Sequence, residues 1–336
     1  MNFIVLLVIF VALVVVVDAQ NPNLRGRKKN ARQRMKDGGK MEEGQIVQAL
    51  DIAYPLKFFA AENTDTWRSE ARYSAELDEI SNDGEYKKHT LAQDQEDIWL
   101  YENWFYGMKA GVIMESGALN GLTFSTSYMF ETFADWTALH VEADPENYKN
   151  LRGNREQAVN VHAALCSETK LLHYSSFGVI PVRGFVEFMT ESFIKKWHGP
   201  IYNGKVKIED LPTTQCVPVK LLMRELNVHH IDIWILDTEG AEESVLKGTD
   251  FSEVHINAVA MECDEHDLAK NARKTDILEA NGFQCALVER NCMCKHKDYK
   301  PRRAPKLSEL QMFDGKAWKK TYGGDNLVPV KIGRNP

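Results

Sequence analysis

Several features are missing from this 336-residue sequence, and each absence excludes a class of protein. There is no internal repeat and no low-complexity block, and 44% hydrophobic and 26% charged residues are normal for a globular chain, which excludes fibrous and largely disordered proteins. After residue 17 no apolar run is long enough to span a bilayer, which excludes a polytopic membrane protein. The G-x-G-x-x-G pattern of dinucleotide-binding loops is also missing, which argues against a nicotinamide-dependent dehydrogenase.

The net charge of −7 conceals three regions of different sign. Residues 25–36 hold seven positive charges and no negative one, and residues 291–336 have a net charge of +7. The intervening residues 37–290 have a net charge of −20. Because so acidic a body repels a phosphate backbone, we expect no nucleic-acid partner.

An unbroken apolar run, residues 3–17, lies near the first residue. It has the length of the apolar part of a signal peptide, and the small residues around Ala19 predict cleavage there. No basic residue precedes the run and a basic cluster follows it, which favours the alternative of an uncleaved anchor. We therefore predict a signal peptide or membrane anchor at 1–19, with membrane contact through it. The expected location is the secretory pathway, secreted or in the Golgi/ER lumen, and the alternative is a membrane-anchored protein facing the cytosol.

The six cysteines are an even number, and a lumenal compartment would allow them to form disulfides. Six cysteines permit fifteen pairings, and the sequence does not choose among them. Cys292 and Cys294, with His296 nearby, look like half of a zinc site, but no matching second half is present. We predict disulfides or free thiols there, and no metal.

From about residue 92, short apolar strands alternate with helix-length segments. The predicted strands are Val112–Glu115, Ala138–Glu142, Val159–Ala163, Ile231–Leu236, Ala258–Met261 and Cys285–Val288. The predicted helices are Thr126–Phe133, Glu146–Asn154, Pro218–Leu226 and Leu268–Asn281. Apolar strands that alternate with helices are typical of a parallel sheet covered on both faces. We therefore predict an α/β domain over 92–290, with a Rossmann-like, doubly wound, mostly parallel sheet.

Around this domain we predict a basic stalk at 20–40, a helical extension at 41–91 and a basic, cysteine-containing tail at 291–336. Residues 175–215 interrupt the alternation of strands and helices. Within them, Arg183–Trp197 has a helical apolar pattern flanked by glycine and proline. An insertion of this size before a core strand predicts a cap over the site, although the aromatic stripe is equally typical of an ordinary helix core.

Ligands of a doubly wound sheet bind beyond the carboxyl ends of its strands, so the residues that follow each strand are the candidate site. Glu115 to Gly121 (E-S-G-A-L-N-G) follow the first strand and form a tight loop without a phosphate-binding device, which suits a ligand with an amino group and a positive centre. Glu142 ends the second strand, where an acid can accept hydrogen bonds from ribose hydroxyls. Asp144 is predicted to cap the following helix, and Ala164 to pack on an adenine.

The fourth strand leads into Asp237 and Glu239, two carboxylates at a strand tip. Unpaired burial of such groups costs several kcal/mol, so they predict a function. Glu262 ends the fifth strand, and His266 lies just beyond it.

These residues carry a resemblance to a known family. The segment Val112–Asn154, with E-S-G-A-L-N-G, F-E at 130–131 and V-E-A-D-P-E-N-Y-K-N-L, and the block I-D-I-W-I-L-D-T-E-G-A-E-E-S-V-L-K-G at 231–248 resemble the two hallmarks of FkbM-type S-adenosylmethionine-dependent methyltransferases. Residues 95–105 and 215–218 also fit, so that the resemblance covers roughly 92–290. It implies a class I methyltransferase fold that binds S-adenosylmethionine and methylates a hydroxyl of a sugar, a glycan or another small polar molecule.

The resemblance also implies roles for particular residues. The methionine side of the cofactor would lie on Glu115, Gly117, Ala118, Asn120 and Gly121, and its ribose on Glu142. Asn120 stands where many members have Asp.

Methyl transfer to an alcohol requires alignment of the reacting atoms and a general base. Asp237 or Glu239 is our candidate base, with His266 or His230 as weaker alternatives and Glu262 as an orienting group. A divalent metal held by Asp237 and by Glu262 or Asp264 is a minority alternative. The competing function is a non-catalytic secretory-pathway protein that retains the fold for binding or trafficking. The sequence does not indicate an oligomeric state.

Overall fold

The computed structural model describes residues 46, 50–55, 67, 72–179, 182–263, 268–303 and 311–312. The predicted signal or anchor segment 1–19 and the stalk 20–40 lie outside these residues, as does His266. The chain divides into two units, Met1–Leu50 and Asp51–Pro336, and everything below concerns the second. Within the described residues, no helix combines the length and the apolar character needed to cross a membrane.

The described part of the second unit is built on a nine-stranded sheet with the spatial order β1-β6-β5-β4-β11-β12-β14-β13-β15, beside a four-stranded and a two-stranded sheet. The strands are β1 (Asp51–Ala53), β2 (Arg72–Tyr73), β3 (Met108–Lys109), β4 (Val112–Ser116), β5 (Thr137–Glu142), β6 (Val159–His162), β7 (Ala164–Cys166), β8 (Lys170–Ser175), β9 (Gly184–Phe185), β10 (Thr213–Pro218), β11 (His230–Leu236), β12 (His255–Glu262), β13 (Phe283–Val288), β14 (Asn291–His296) and β15 (Gln311–Met312). From β6 to β12 neighbouring strands are parallel, whereas β14 lies antiparallel between β12 and β13.

Helices lie along the sequence between these strands. The α-helices are α1 (Ala75–Asn82), α2 (Glu96–Leu100), α3 (Ser127–Ala134), α4 (Pro145–Asn154), α5 (Glu191–Trp197), α6 (Gly199–Tyr202), α7 (Val219–Leu226), α8 (Glu242–Lys247) and α9 (Leu268–Ala280), with 3₁₀ turns at Glu85–His89, Val186–Phe188 and Ile208–Asp210 and a π turn at Tyr101–Phe105. The central strands β4 and β11 are buried along nearly their whole length, which is why they read as nearly continuous apolar runs. The predicted doubly wound α/β fold is confirmed.

Two predicted boundaries differ from the structure. We expected the sheet to end at residue 290, but the segment Asn291–His296 is β14, in the interior of the sheet. We expected 41–91 to be a helical extension, but β1 at Asp51–Ala53 pairs antiparallel with β6 and extends the main sheet at its edge. The cause is the same in both regions: charged and polar residues flank short strands, so that the composition of each region hides its pairing.

The insertion 175–215 combines strand and helix. Its β9 pairs with β8, which belongs with β7 and β10 to the four-stranded sheet. The helix predicted over Arg183–Trp197 is therefore shorter, since Gly184–Phe185 is held in a strand and α5 begins only after Thr190, whose hydroxyl accepts from the Phe193 amide at 3.2 Å.

All six cysteines lie in the described residues, and the structure pairs them. The disulfides are Cys166–Cys216, Cys263–Cys292 and Cys285–Cys294. The first closes a loop that contains the insertion 175–215, and the other two fasten β14 to its surroundings. The pairing that the sequence left open is thus given by the structure.

Candidate active site

A cavity of about 550 Å³ lies at the carboxyl ends of β4, β5, β11 and β12, the edge at which we expected a ligand. Residues of the insertion, including Arg183, Phe188 and Trp197, also line it. The predicted cap therefore contributes a wall of this cavity.

The loop after β4 comes close to the tip of β11. Gly117 has a φ of 86°, and a Cβ at this position would collide with the carbonyl oxygen of Asp237. The Asp237 amide donates to the carbonyl of Ser116 at 3.1 Å. Only glycine allows this approach, which places the loop and the acidic strand tip on the same cavity.

Glu115 lines the cavity, but protein groups already occupy its carboxylate. The hydroxyls of Ser125 and Ser127 donate to it at 2.9 and 2.5 Å, and the Thr126 amide donates at 2.7 Å. Glu115 is only 4% exposed. Its carboxylate thus fixes the first turn of α3 behind the glycine loop, a role that the sequence did not reveal.

Glu142 connects the second strand tip to the glycine loop. Its carboxylate accepts from the Leu119 and Asp144 amides, each at 2.7 Å. Burial raises the pKa of Glu142 to about 7, and these hydrogen bonds only partly oppose the shift. A buried carboxylate at this tip, on the cavity wall, is where the sequence analysis placed the ribose acceptor.

Three predicted cofactor residues do not line the cavity. Asp144 caps α4, accepting from the Glu146 and Asn147 amides at 2.8 and 2.9 Å. The side-chain oxygen of Asn120 accepts from the Leu122 and Thr123 amides at 3.0 and 2.8 Å.

Gly121 is the third residue outside the cavity wall. A Cβ there would lie 2.6 Å from Cγ of Arg155, so its glycine serves the packing of the loop on α4. These three residues shape the loop and the helix that support the cavity.

The apolar wall is formed by small and aromatic side chains. Ala118 and Ala164 are each 2% exposed and line the cavity, as does Phe185 from β9. Ala164 packs with Phe185 and Tyr174 in one apolar cluster. The position is compatible with the predicted contact of Ala164 with an adenine.

Acidic residues from the tips of β11 and β12 also line the cavity. These residues are Asp237, Glu239 and Glu262. Desolvation by the surrounding protein and the charge of Glu242 raise the pKa of Asp237. Burial and the Asp237 charge raise the pKa of Glu239 considerably further. Asp237 is therefore the group that is more readily ionised near neutral pH, and Glu239 tends to keep its proton.

The sequence analysis missed the cationic residues of this site and the contribution of β14 and α2 to the cavity wall. Lys270, Lys274 and Arg290 line the cavity, and Arg290 pairs with Asp94 at 2.6 Å. Asn291 donates to Glu96 at 2.9 Å, which connects the first residue of β14 to α2. Lysines on a helix are usually solvated, so no local sequence pattern marks Lys270 and Lys274 as part of the site.

Of the candidate ligands of a divalent metal, Asp237 and Glu262 line the cavity, and Asp264 lies outside the described residues. The structure shows no group of three or more histidine, cysteine, aspartate or glutamate side chains arranged to hold a metal ion within the residues it describes. His230, the weaker candidate base, lies at the start of β11, at the opposite end of the strand from the cavity. There it pairs with Asp232 at 3.0 Å. The predicted weaker base role of His230 is therefore corrected.

The parallel order β6-β5-β4-β11-β12, the antiparallel strand β14 inserted before β13, and a cavity at the carboxyl edge define a Rossmann-like protein of the class I methyltransferase type. The model of the methyltransferase FkbM domain matches residues 115–285, which is half of the chain. The chain belongs to the FkbM methyltransferase family. This membership supports S-adenosylmethionine-dependent methyltransferase activity, with S-adenosylmethionine as the cofactor.

Solved structures with similar folds were also found, whereas no curated protein matches the chain. A precorrin-6y C5,15-methyltransferase from Geobacter metallireducens is 11% identical, with 68% of this chain and 93% of that chain covered and a TM-score of 0.30. Fibrillarin from Aeropyrum pernix, solved with natively bound S-adenosyl-L-methionine, is 12% identical over 55% and 66% of the two chains, with a TM-score of 0.30. A class I methyltransferase from Listeria monocytogenes, described as putative, is 11% identical over 82% and 81%, with a TM-score of 0.28. At these values the likenesses add nothing to the family match and the strand order.

Proposed function

We propose that this protein transfers the methyl group of S-adenosylmethionine to a hydroxyl of a sugar, a glycan or another small polar molecule in the secretory pathway. One observation carries the proposal: a buried carboxylate at the β5 tip and an ionisable one at the β11 tip face the same cavity, across a glycine loop. The first suits a ribose and the second suits a proton transfer.

The residues present fit the cofactor. The glycine loop comes close to the tip of β11 because Gly117 has no side chain, Glu142 offers acceptor oxygens, and Ala118 and Ala164 contribute small apolar side chains to the wall. A volume of about 550 Å³ is within the range of cavities that hold small-molecule ligands. When bound, the cofactor supplies a methyl group that is already activated on a sulfonium.

This chain's own residues would then orient the acceptor and remove its proton. An alcohol is a poor nucleophile at neutral pH, and a positioned base contributes typically 10²–10⁴-fold to the rate. Asp237 suits this role because it lies on the cavity wall and ionises more readily than Glu239. Glu239, which keeps its proton, can donate a hydrogen bond to an acceptor oxygen.

The aromatic and cationic residues of the insertion support a carbohydrate acceptor. Phe188, Phe193 and Trp197 line the cavity, and the ammonium of Lys196 lies 4.7 Å from the centre of the Trp197 ring. Aromatic faces stack on the apolar face of a sugar, and nearby polar groups can bind its hydroxyls.

Pairing of all six cysteines supports an oxidising compartment, in agreement with the expected secretory location. The membrane-anchored alternative with a cytosolic domain is disfavoured for the same reason, since cytosolic thiols are kept reduced. Protease protection of the full chain in microsomes would distinguish the two topologies.

The test of the function uses the full chain, produced in an oxidising compartment. Calorimetric titration with S-adenosylmethionine and separately with NAD comes first, followed by incubation with methyl-labelled cofactor and a panel of glycans. Binding of S-adenosylmethionine and transfer of label to a glycan are expected. Binding of NAD alone would refute the proposal, and binding of neither ligand would favour the non-catalytic alternative.

A further inference from the structure

Two ion pairs connect α8 to α9, and only one of them faces the site. On the outside, Arg273 pairs with Glu243 at 2.9 Å, and the arginine side chain is half-exposed. Their chain neighbours Lys274 and Glu242 lie 3.7 Å apart, with side chains only 4% and 2% exposed. A buried ion pair carries a large desolvation penalty, so this one calls for a structural or functional reason.

Glu242 holds the turn that carries the two candidate catalytic carboxylates. One oxygen of Glu242 accepts from the Thr238 amide at 3.0 Å, the Thr238 hydroxyl at 3.1 Å and the Gly240 amide at 3.0 Å. Within this turn Glu239 has a φ of 51°, a left-handed conformation that is unfavourable for a residue with a side chain. Such a conformation persists only where surrounding interactions impose it.

Lys274 completes the arrangement from the other side. Its ammonium donates to the main-chain carbonyl of Glu262, at the tip of β12, at 2.5 Å. One buried cation therefore contacts both acidic strand tips, the β11 turn through Glu242 and the β12 tip directly. Its charge also lowers the pKa of Glu242 against the effect of burial, which keeps Glu242 ionised as an acceptor.

We propose that Lys274 is a positioning residue for methyl transfer, whose ammonium holds Glu242, and through it the turn 237–240, against the tip of β12. The inference rests on the proposed function, because it assigns the turn to the methyl-transfer step. Lys274 acts through Glu242 and is not the base itself.

Loss of the Lys274 charge would also change the ionisation of Asp237. The charged groups that act on Asp237 are Glu242 on α8, Arg290 between β13 and β14, Glu96 from α2 and Lys274 on α9, while Glu239 in the same turn keeps its proton under the influence of the Asp237 charge. Glu242 and Glu96 raise the pKa of Asp237, and Arg290 and Lys274 lower it. Without Lys274, the acidic limb of the kcat profile is expected to move to higher pH, an effect that loss of packing alone does not produce.

The experiment compares Lys274→Met with the matched control Arg273→Met in the full chain. For Lys274→Met we expect faster hydrogen exchange at the Thr238 and Gly240 amides and a kcat about a hundredfold lower, because small misplacements of catalytic groups have costs of that size. The Kd for S-adenosylmethionine is expected to change less than about threefold, since the cofactor loop is untouched. Lys274→Arg should restore part of kcat, and Arg273→Met should behave as wild type.

The possible outcomes separate the inference from the proposed function. The inference would be overturned if Lys274→Met had the same amide hydrogen-exchange rates and the same kcat as Arg273→Met. It would also be overturned if Lys274→Met exchanged faster but kept the wild-type kcat, because the turn would then serve stability alone. If the wild type binds no S-adenosylmethionine, the proposed function and the catalytic part of the inference both fail, while the exchange data still decide whether Lys274 holds the turn. If Lys274→Met does not fold, Lys274→Gln, which removes the charge but keeps a polar donor, replaces it in every measurement.

Discussion

The replacement Glu142→Gln tests the ribose acceptor through stability as well as binding. Burial raises the pKa of Glu142 from 4.5 to about 7 in the folded protein. Between these values the folded chain keeps a proton that the unfolded chain releases, so the folded state loses stability as the pH rises through this window. A difference of about 2.5 pKa units corresponds to about 3 kcal/mol, as an order of magnitude.

Glutamine cannot ionise, so the variant lacks this contribution. The free energy of unfolding, measured with urea at about pH 4.5 and about pH 8, should therefore fall by about 3 kcal/mol more in the wild type than in Glu142→Gln. The matched control is Glu146→Gln, in the exposed first turn of α4, which should keep the slope of the wild type. An unchanged slope in Glu142→Gln would refute the argument that this carboxyl is desolvated.

The same variant should bind S-adenosylmethionine more weakly. A hydrogen bond to a charged group contributes about 1.5–3 kcal/mol, so its loss corresponds to roughly 10–100-fold in Kd. Binding by the wild type should strengthen as the pH rises toward 7, because Glu142 must release its proton before it accepts from two hydroxyls. Calorimetry in buffers of different ionisation enthalpy would detect that proton, and its absence would contradict the assignment.

Other predictions concern the base, the glycine loop and the insertion. Asp237→Asn should keep S-adenosylmethionine affinity and lower kcat by about 10²–10⁴-fold, and normal turnover would exclude Asp237 as the base. Gly117→Ala should destabilise the fold by about 1–3 kcal/mol and weaken cofactor binding, since its Cβ meets the Asp237 carbonyl; thermal unfolding at the wild-type temperature would contradict this. Joint replacement of Cys166 and Cys216 by Ser opens a loop with a sequence separation of 50 residues, and loop-closure entropy predicts a loss of about 4 kcal/mol in unfolding free energy. A difference well below that would indicate that the insertion is held by its other contacts.

The parts of the fold that the sequence predicted best are those buried on both faces. β4 and β11 read as nearly continuous apolar runs because helices and neighbouring strands surround them, and Glu115 and Asp237 mark the carboxyl edge of the sheet. The sequence analysis assigned Asn291–His296, now β14, to the tail because basic residues outnumber acidic ones over residues 291–336. Its place in the sheet depends on pairing with β12 and β13, which no local pattern encodes.

The residues of the site likewise fall into those that the sequence predicts and those that it does not. Glu142 and Asp237 were predictable, since each follows directly from the end of a strand. Asn120 was misleading, because a short polar side chain in a loop bonds to its own backbone as readily as to a ligand. Lys274 was not predictable, because its burial arises only from the packing of α9 on α8.

The antiparallel strand β14 has a consequence for how the protein is made. Synthesis proceeds from the amino end, so β12 and β13 emerge before the strand that will separate them. Until residue 296 has emerged, both expose open edges, which are prone to pair with other chains, and the wall formed by Arg290 and Asn291 is missing. Oxidation of Cys263–Cys292 and Cys285–Cys294 then locks the late strand in place. A competent catalytic pocket is therefore among the last features this chain acquires.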